Sequence, residues 1–435
     1  MRRELWAACA CALLVAVRAD GQALPAPCAE PLRAPATIAA CAVAQSVDVK
    51  SARLTLRALA GRRRAAAVLL PSHPNLAVNL AERQMPADVA AGGQYLNWYV
   101  TLSQELEVAG QRGARLLTVE AEQAAQLRRV AVAEQEAAAT ALAAYYQLLG
   151  AREEVRLGEM LGSIADTLAR LASARVAVAL AAPVDADVAA AEASRLGLLR
   201  IEAAQRVQSA EQALRTLLGL DPLAPAAIAG AWPPAPLRGE ATAPAEADEI
   251  ERALLLRGEV AAAHMEQVAR ARQLQLVQRS RAPNLTLSLY AQRDGQGERV
   301  LGGGVSLPLP LPAPLGPSRR GEIEEASAQI ELAGTTLAGV RRRVRLEVAQ
   351  AVAGERAQEA AVALFPPPLI TRAEQDLRAL AQAVATQRLL LREALLAQRS
   401  LIELLQAHVR AQLALALARV ERQRAGGRLL AEALP

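Results

Sequence analysis

Two hydrophobic periods alternate along the chain. From Pro74 to Leu80 and from Pro283 to Leu289 every second residue is apolar: Leu76, Val78 and Leu80, then Leu285, Leu287 and Leu289. Asn75, Asn79, Thr286 and Ser288 stand among the positions between. A period of two gives a strand with one apolar and one polar face. A further alternating run follows each, with Trp98, Val100 and Leu102 in one and Val305 and Leu307 in the other. The pattern predicts two hairpins, about 75–107 and about 284–310. Arg293 to Gly304, which includes Gly302-Gly303-Gly304, is expected to be the loop of the second. The prolines at 308, 310 and 312 are expected to end its pairing.

Elsewhere the composition is that of long helices, rich in Ala, Leu, Arg, Glu and Gln. Ala114 to Ala182 contains no proline, enough for a helix of roughly 100 Å. Pro183 and Asp185 mark a reversal, and Asp187 to Leu218 predicts a return helix about half as long. Gly219 stops it before a Pro-rich stretch. Further helices are expected over Asp48–Leu70, Glu246–Arg281, Gly321–Ala385 and Leu391–Arg424. Leu127, Val130, Ala131, Glu134, Ala138, Ala141 and Leu142 are expected to form a narrow packing seam. Phe365-Pro366-Pro367-Pro368 predicts a break inside the second long helix, because prolines remove donors and clash with the preceding turn. Gly158 and Gly162 weaken the first helix only mildly at the same level.

The plan occurs twice. Pro74 and Pro283 lie 209 positions apart, and Gly113 and Gly321, each opening a long helical run, lie 208 apart. The chain therefore divides into a leader at 1–19, an N-terminal extension at 20–47 and a first repeat at 48–220. A Pro-rich linker at 221–245, a second repeat at 246–427 and a tail at 428–435 follow. The expected class is mainly α with a small β part: long antiparallel helical hairpins and four strands, in an internal two-fold repeat. Four strands are too few to close a barrel, and an open edge is not tolerated in lipid. Several copies together would remove the difficulty, and Tyr95, Trp98 and Tyr99 stand where interfacial aromatics would be expected.

Composition adds export. Arg2 and Arg3 precede the apolar run Leu5–Val17 and the small-residue site Val17-Arg18-Ala19, a secretory leader. No later segment reads as a transmembrane helix. Cys28 and Cys41 remain after cleavage. They could pair in an oxidising compartment, or Cys28 could carry a lipid, although Leu24-Pro25-Ala26-Pro27 is a poor lipoprotein context. Chemistry finds little support. His73, His264 and His408 are scattered, no cluster has metal-ligand spacing, and the Gly302–Gly304 run lacks the Lys-Ser/Thr of a phosphate loop. Glu153-Glu154 and Glu324-Glu325 read as solvated surface, and Arg341-Arg342-Arg343 as a solvated or tunnel-lining face. No enzyme activity, cofactor, bound metal or nucleic-acid partner is expected from these residues.

Leu102-Ser103-Gln104-Glu105-Leu106-Glu107 with Gly110-Gln111-Arg112 and Arg115 resembles the strand-to-helix junction of the TolC-type outer-membrane efflux proteins, closest to the CzcC-like heavy-metal subgroup. Arg281 to Leu285, Gly304 to Pro308, Arg320-Gly321-Glu322-Ile323 with Ala326, and Ala397 to Leu401 resemble its later motifs. The resemblance runs from about Ala52 to Gly427. It implies a homotrimer in outer-membrane lipid, with twelve strands closing a barrel and the helices continuing as a periplasmic tunnel. It also implies passive conduction for an inner-membrane pump, the RND type among the candidates, reached through a periplasmic adaptor. The helix reversals would be adaptor-docking tips: Ala181, Pro183, Asp185, Asp187 and Val188 in one, Ala385 and Glu393 in the other. Ala181 and a position near Ala385 stand where the family usually has Gly. From the residues alone, a soluble exported coiled-coil spacer or adaptor is the competing class.

Overall fold

In a computed structural model the described residues are 28, 32, 34–84, 94–221, 223, 228–233, 246–293, 297–309 and 318–430. The leader, most of the Pro-rich linker, the prolines at 310 and 312, and residues 431–435 lie outside them. Four strands form one antiparallel sheet in chain order: β1 (Asn75–Gln84), β2 (Gln94–Leu106), β3 (Leu285–Arg293) and β4 (Arg299–Ser306). The second hairpin is tighter than its glycines suggested. β4 begins at Arg299 and takes in Gly302-Gly303-Gly304, so only five residues join it to β3. The register explains two of the three: Gly302 lies opposite Tyr290, where a Cβ would sit 2.5 Å from the tyrosine ring, and Gly304 opposite Ser288, where a Cβ would sit 2.9 Å from Oγ. Leu307, expected within the strand, falls just past its end.

The first long helix is α3 (Gln111–Ala177), 67 residues without interruption, or about 100 Å. It starts three residues earlier than expected and stops five sooner. Around it pack α1 (Pro35–Gln45), α2 (Val47–Ala66), α4 (Pro183–Leu217), α6 (Gly258–Arg279), α8 (Pro367–Ala385) and α9 (Leu391–Gly426). Pro at the first position and Asp185 in the first turn favour the start of α4, since Pro lacks only an orphan donor and a carboxylate suits the dipole. The expected seam is partly displaced: Val130, Ala138, Ala141 and Leu142 are buried, whereas Leu127 and Ala131 face outward. One long face cannot serve all the neighbours of α3, so Tyr145, Tyr146, Leu148 and Leu149 fill the middle of the core instead.

The second long helix is split as the prolines predicted, into α7 (Arg320–Ala363) and α8, with Pro366 extended between them at ψ 143°. A second break was not foreseen. Glu246–Arg281 divides into α5 (Glu246–Leu256) and α6 at Arg257, whose ψ is 122°. No proline is needed there. The Arg257 guanidinium is buried and donates to Ala425 O at 3.1 Å and to both carboxylate oxygens of Glu259. Gly258 meanwhile lets the helix approach α3, where a Cβ would meet Val132 at 2.8 Å. The region 20–47, expected as an extension, contributes α1 to the largest core, and Leu429 of the expected tail is also buried there. α9 is long and apolar enough by composition to cross a bilayer, which the sequence analysis did not foresee. Its buried residues belong to the contacts with α3, α7 and α8.

Candidate functional site

The sheet is the first candidate. Its register pairs Leu76 with Leu102, Val78 with Val100 and Leu80 with Trp98. It then pairs Leu102 with Leu289 and Val100 with Ala291, and finally Leu287 with Val305 and Ala291 with Leu301. Since directly paired residues share a face, every one of these side chains lies on the same side of the sheet. That side is bare: Leu80 is 67% exposed, Leu289 65%, Leu301 85% and Val305 68%. The opposite face carries Asn79, Asn97, Thr101, Ser103, Thr286, Ser288 and Gln292, with Tyr99 and Tyr290 stacked at 5.7 Å. The outer edges of β1 and β4 pair with no other strand among the described residues. The sheet thus has one apolar face, one polar face and, among the described residues, two open edges. Of the aromatics expected at the interface, Trp98 and Tyr99 lie in β2, while the Tyr95 side chain is outside the described residues.

The second candidate is the junction that hangs the helices on the sheet. Asn284 Nδ2 donates to Glu105 Oε1 at 2.7 Å, and Gln111 Nε2 donates to Asn284 Oδ1 at 3.2 Å. Arg115 reaches Glu107 at 2.6 Å, and Arg112 Nε donates to Ala67 O at 2.9 Å. Gly110, left-handed at φ 73°, caps α3 beneath Arg279, whose Nη1 donates to the Gly110 carbonyl at 3.3 Å. These residues largely coincide with the motif that carried the family resemblance. They tie β2, β3, α2, α3 and the loop before β3 into one knot, and so fix how the sheet sits on the helical arm.

The tips form the third. After α3 the chain turns through Ala179 at φ 55°, and after α8 through Gln387 at φ 61°, exactly 208 positions on in sequence. Both turns close with the same pair of hydrogen bonds. Leu180 N reaches Arg175 O and Ala179 N reaches Val176 O; Arg388 N reaches Ala383 O and Gln387 N reaches Val384 O. This is the Schellman arrangement, whose left-handed position favours Gly. The positions that would suit glycine are therefore Ala179 and Gln387, two residues from Ala181 and Ala385, where the family resemblance implied them. Asp185 and Glu393 occupy matching places in the first turns of α4 and α9, and the Leu390 amide donates to Glu393 Oε2 at 3.4 Å. Asp187 and Val188 are exposed, beside exposed Val178, Leu180 and Val184. Leu390 and Leu396 are exposed at the second tip. The structure thus places all seven expected tip residues at two reversals, each an acidic and apolar knuckle.

Sequence reasoning missed the charged cluster above the break. Arg422 clasps Glu249 through Nε and Nη2 at 3.0 and 2.9 Å and Glu355 through Nη1 at 2.9 Å, joining α5, α7 and α9. Hydrogen bonding to Glu249 holds the Arg422 guanidinium firmly protonated, and both carboxylates are buried. Burial pushes Tyr146 up to about 12, with Tyr145 adding to the effect. At the break, Phe365 lies 5.7 Å from His408, whose affinity for protons is lowered by burial. Among the described residues no group of His, Cys, Asp or Glu is placed to hold a metal ion.

These features can be set beside known proteins. The outer-membrane channel OprN superposes with a TM-score of 0.74 at 18% identity, covering 90% of this chain and 89% of its own. The CmeC outer-membrane channel of Campylobacter jejuni gives 0.74 at 12% identity, covering 90% and 85%. The outer-membrane protein VceC of Vibrio cholerae gives 0.70 at 19% identity, covering 90% and 96%. The chain has the TolC-type channel fold. The cobalt-zinc-cadmium resistance protein CzcC of Cupriavidus metallidurans is 32% identical over 208 residues, 47% of this chain. The chain matches about half the length of that curated relative, 48%. No family model matches. The resemblance to outer-membrane efflux channels is borne out, with a CzcC protein among the relatives, as the subgroup reading expected.

Proposed function

We propose that this chain is one subunit of an outer-membrane exit duct, through which an inner-membrane pump expels substrates delivered by a periplasmic adaptor. The observation that carries the proposal is the sheet: an exposed, mostly apolar face, a polar reverse face and two edges unpaired among the described residues. Lipid requires every backbone group to be paired, so such a sheet needs neighbouring copies to close it. Three copies would give a twelve-stranded barrel, with α3, α4, α7, α8 and α9 of each extending as the tunnel wall. Conduction is passive. Among the described residues of the sheet and the tips, no group is arranged for bond-making chemistry, and transport energy would come from the pump. The name of the CzcC relative makes divalent metal ions the first cargo to assay. The soluble-spacer alternative has no use for the exposed leucines of the sheet.

The test is fractionation followed by electrophysiology. The full chain is expected in the outer membrane as a heat-modifiable trimer, with stable conductance steps in planar bilayers. Recovery as a soluble periplasmic monomer without conductance would establish the spacer instead. The tips supply a second test. Acidic residues at the start of each return helix, Asp185 and exposed Asp187 on α4 and Glu393 on α9, stand among exposed valines and leucines and suit a complementary helical hairpin of an adaptor. Asp187→Arg is expected to abolish crosslinking to the adaptor and export in cells while leaving bilayer conductance intact. Normal export and crosslinking by that variant would remove the docking role.

A further inference from the structure

Cys28 and Cys41 are joined in a disulfide, and neither residue has any exposed surface. They sit in the largest core with Ile38, Ala39, Leu142, Tyr145 and Leu218. Four residues after Cys28, Leu32 bridges in parallel to Ile228, and Ala229 N donates to Leu32 O at 3.0 Å. The N-terminal segment is therefore strapped twice. One strap is covalent, to α1; the other is a backbone bond to the segment joining the two halves of the chain.

An exported cysteine can serve a membrane protein in two ways through the same sulfur atom. A lipid anchor needs a thioether at Sγ and cleavage of the leader immediately before the cysteine. A disulfide needs that Sγ bonded to another. Here the apolar run of the leader ends at Val17, well short of Cys28, and Leu24-Pro25-Ala26-Pro27 intervenes. The Cys28 sulfur also faces the interior, where no acyl chain has room. We propose that Cys28 is committed to the disulfide, that the mature chain carries no acyl group there, and that the sheet rather than a lipid on Cys28 holds it in the membrane. The last clause rests on the outer-membrane assignment proposed above. Closing the bond removes two protons and two electrons from the thiol pair. The acceptor is the disulfide of a dithiol–disulfide exchange catalyst in the exported compartment, which leaves as a dithiol.

The experiment uses the full chain, expressed with its leader and extracted from membranes. Intact mass and peptide mapping are expected to show a polypeptide two hydrogens lighter than its reduced form and no acyl adduct. Iodoacetamide is expected to label neither cysteine in denaturant alone and both after reduction in denaturant. An acyl mass on the Cys28 peptide, or free thiols in denaturant without reductant, would overturn the proposal. Variants supply a second readout. A disulfide predicts that Cys28→Ser and Cys41→Ser lower the melting temperature equally and leave membrane retention unchanged. An anchor predicts loss of retention in Cys28→Ser alone, which would overturn it. Recovery of the unmodified chain as a soluble protein would instead count against the outer-membrane assignment, leaving the mass result to stand on its own.

Discussion

The two long arms follow one plan but differ in mechanics. α3 runs through the middle of the molecule unbroken, and its buried residues continue from Leu142 through Leu148 and Leu157 to Leu168. It passes from one core into the next without a gap, since Leu148 belongs to the first and Leu157 to the second. The other arm is cut. Its upper part, α7, packs Val344, Val348 and Val352 with Ala253 and Val260, while its lower part, α8, packs Ala373, Leu377 and Leu380 with α3 and α9. No residue from Arg356 to Arg372 is buried, and Leu364 at the cut is 72% exposed. Beside it opens a cleft of about 570 Å³, lined by Arg152, Arg156, Trp232, Glu374, His408 and Gln412. A continuous helix packed along its whole length transmits force. Two helices held by separate cores, with little between them, form a joint. The first half of the chain is thus a spar and the second an articulated arm.

The most severe way to break this comparison is to move the joint. Pro366 and Gly158 are 208 positions apart, the same spacing as the two tips. Proline inside a packed helix costs about 3 kcal/mol or more, through a lost hydrogen bond and a clash with the preceding turn. Gly158→Pro is therefore expected to destabilise the chain by at least about that much, seen as a large fall in the urea midpoint. Gly158→Ala is the control. Its Cβ would make an ordinary 3.6 Å contact with Arg200, so it should be tolerated and gain up to about 1 kcal/mol in helix propensity. If Gly158→Pro is harmless, α3 is not a spar.

A smaller change sharpens the contrast between the return helices. α4 buries Ala189, Leu196 and Ala203 along its lower stripe, all apolar. On α9 the corresponding stripe is Leu391, Ala394, Gln398, Ile402, Leu405 and Val409. Gln398 is fully buried, and neither its oxygen nor its nitrogen has a hydrogen-bond partner. An unmade bond of this kind costs about 1–3 kcal/mol. Gln398→Leu has similar volume and removes the cost, so it is expected to raise stability by about 1 kcal/mol or more, measured by denaturant titration. A loss of stability in that variant would mean that the amide is satisfied in the working assembly.

How far all this was legible depends on whether the deciding force is local. Alternation at Leu76–Leu80 and Leu285–Leu289 could be read because a strand's two faces meet different solvents. The break at Pro366 could be read because proline acts on its own turn. Arg257 could not, since its helix bends to seat a buried guanidinium on Ala425 O and Glu347, residues far away in sequence. Gly302–Gly304 misled because glycine signals turns, whereas here Gly302 leaves space for Tyr290 and Gly304 for Ser288, across the hairpin. α1 was taken as part of an extension because its eleven residues gain their burial from partners distant in sequence, α3 above all, and from the disulfide. At the tips the acidic residues were found, but the strained positions were not, because neither Ala179 nor Gln387 is a glycine.

Those two positions provide the gentlest test of whether the arms are alike where they reverse. Each holds a left-handed backbone, which costs a residue with a Cβ about 1 kcal/mol relative to glycine. Glycine has the opposing penalty of greater freedom in the unfolded chain, about 0.5–1 kcal/mol. The two nearly offset, so Ala179→Gly and Gln387→Gly are each expected to shift stability by less than about 1 kcal/mol and by equal amounts. Equality is the informative quantity, because both turns close with the same hydrogen bonds. The tip below α3 hangs from a continuous helix and the tip below α8 from a joint. If stability moves equally while amide exchange at the second tip alone slows, the difference between the tips lies in the joint and not in the turn. Slowing at both tips would return the difference between the arms to the turns themselves.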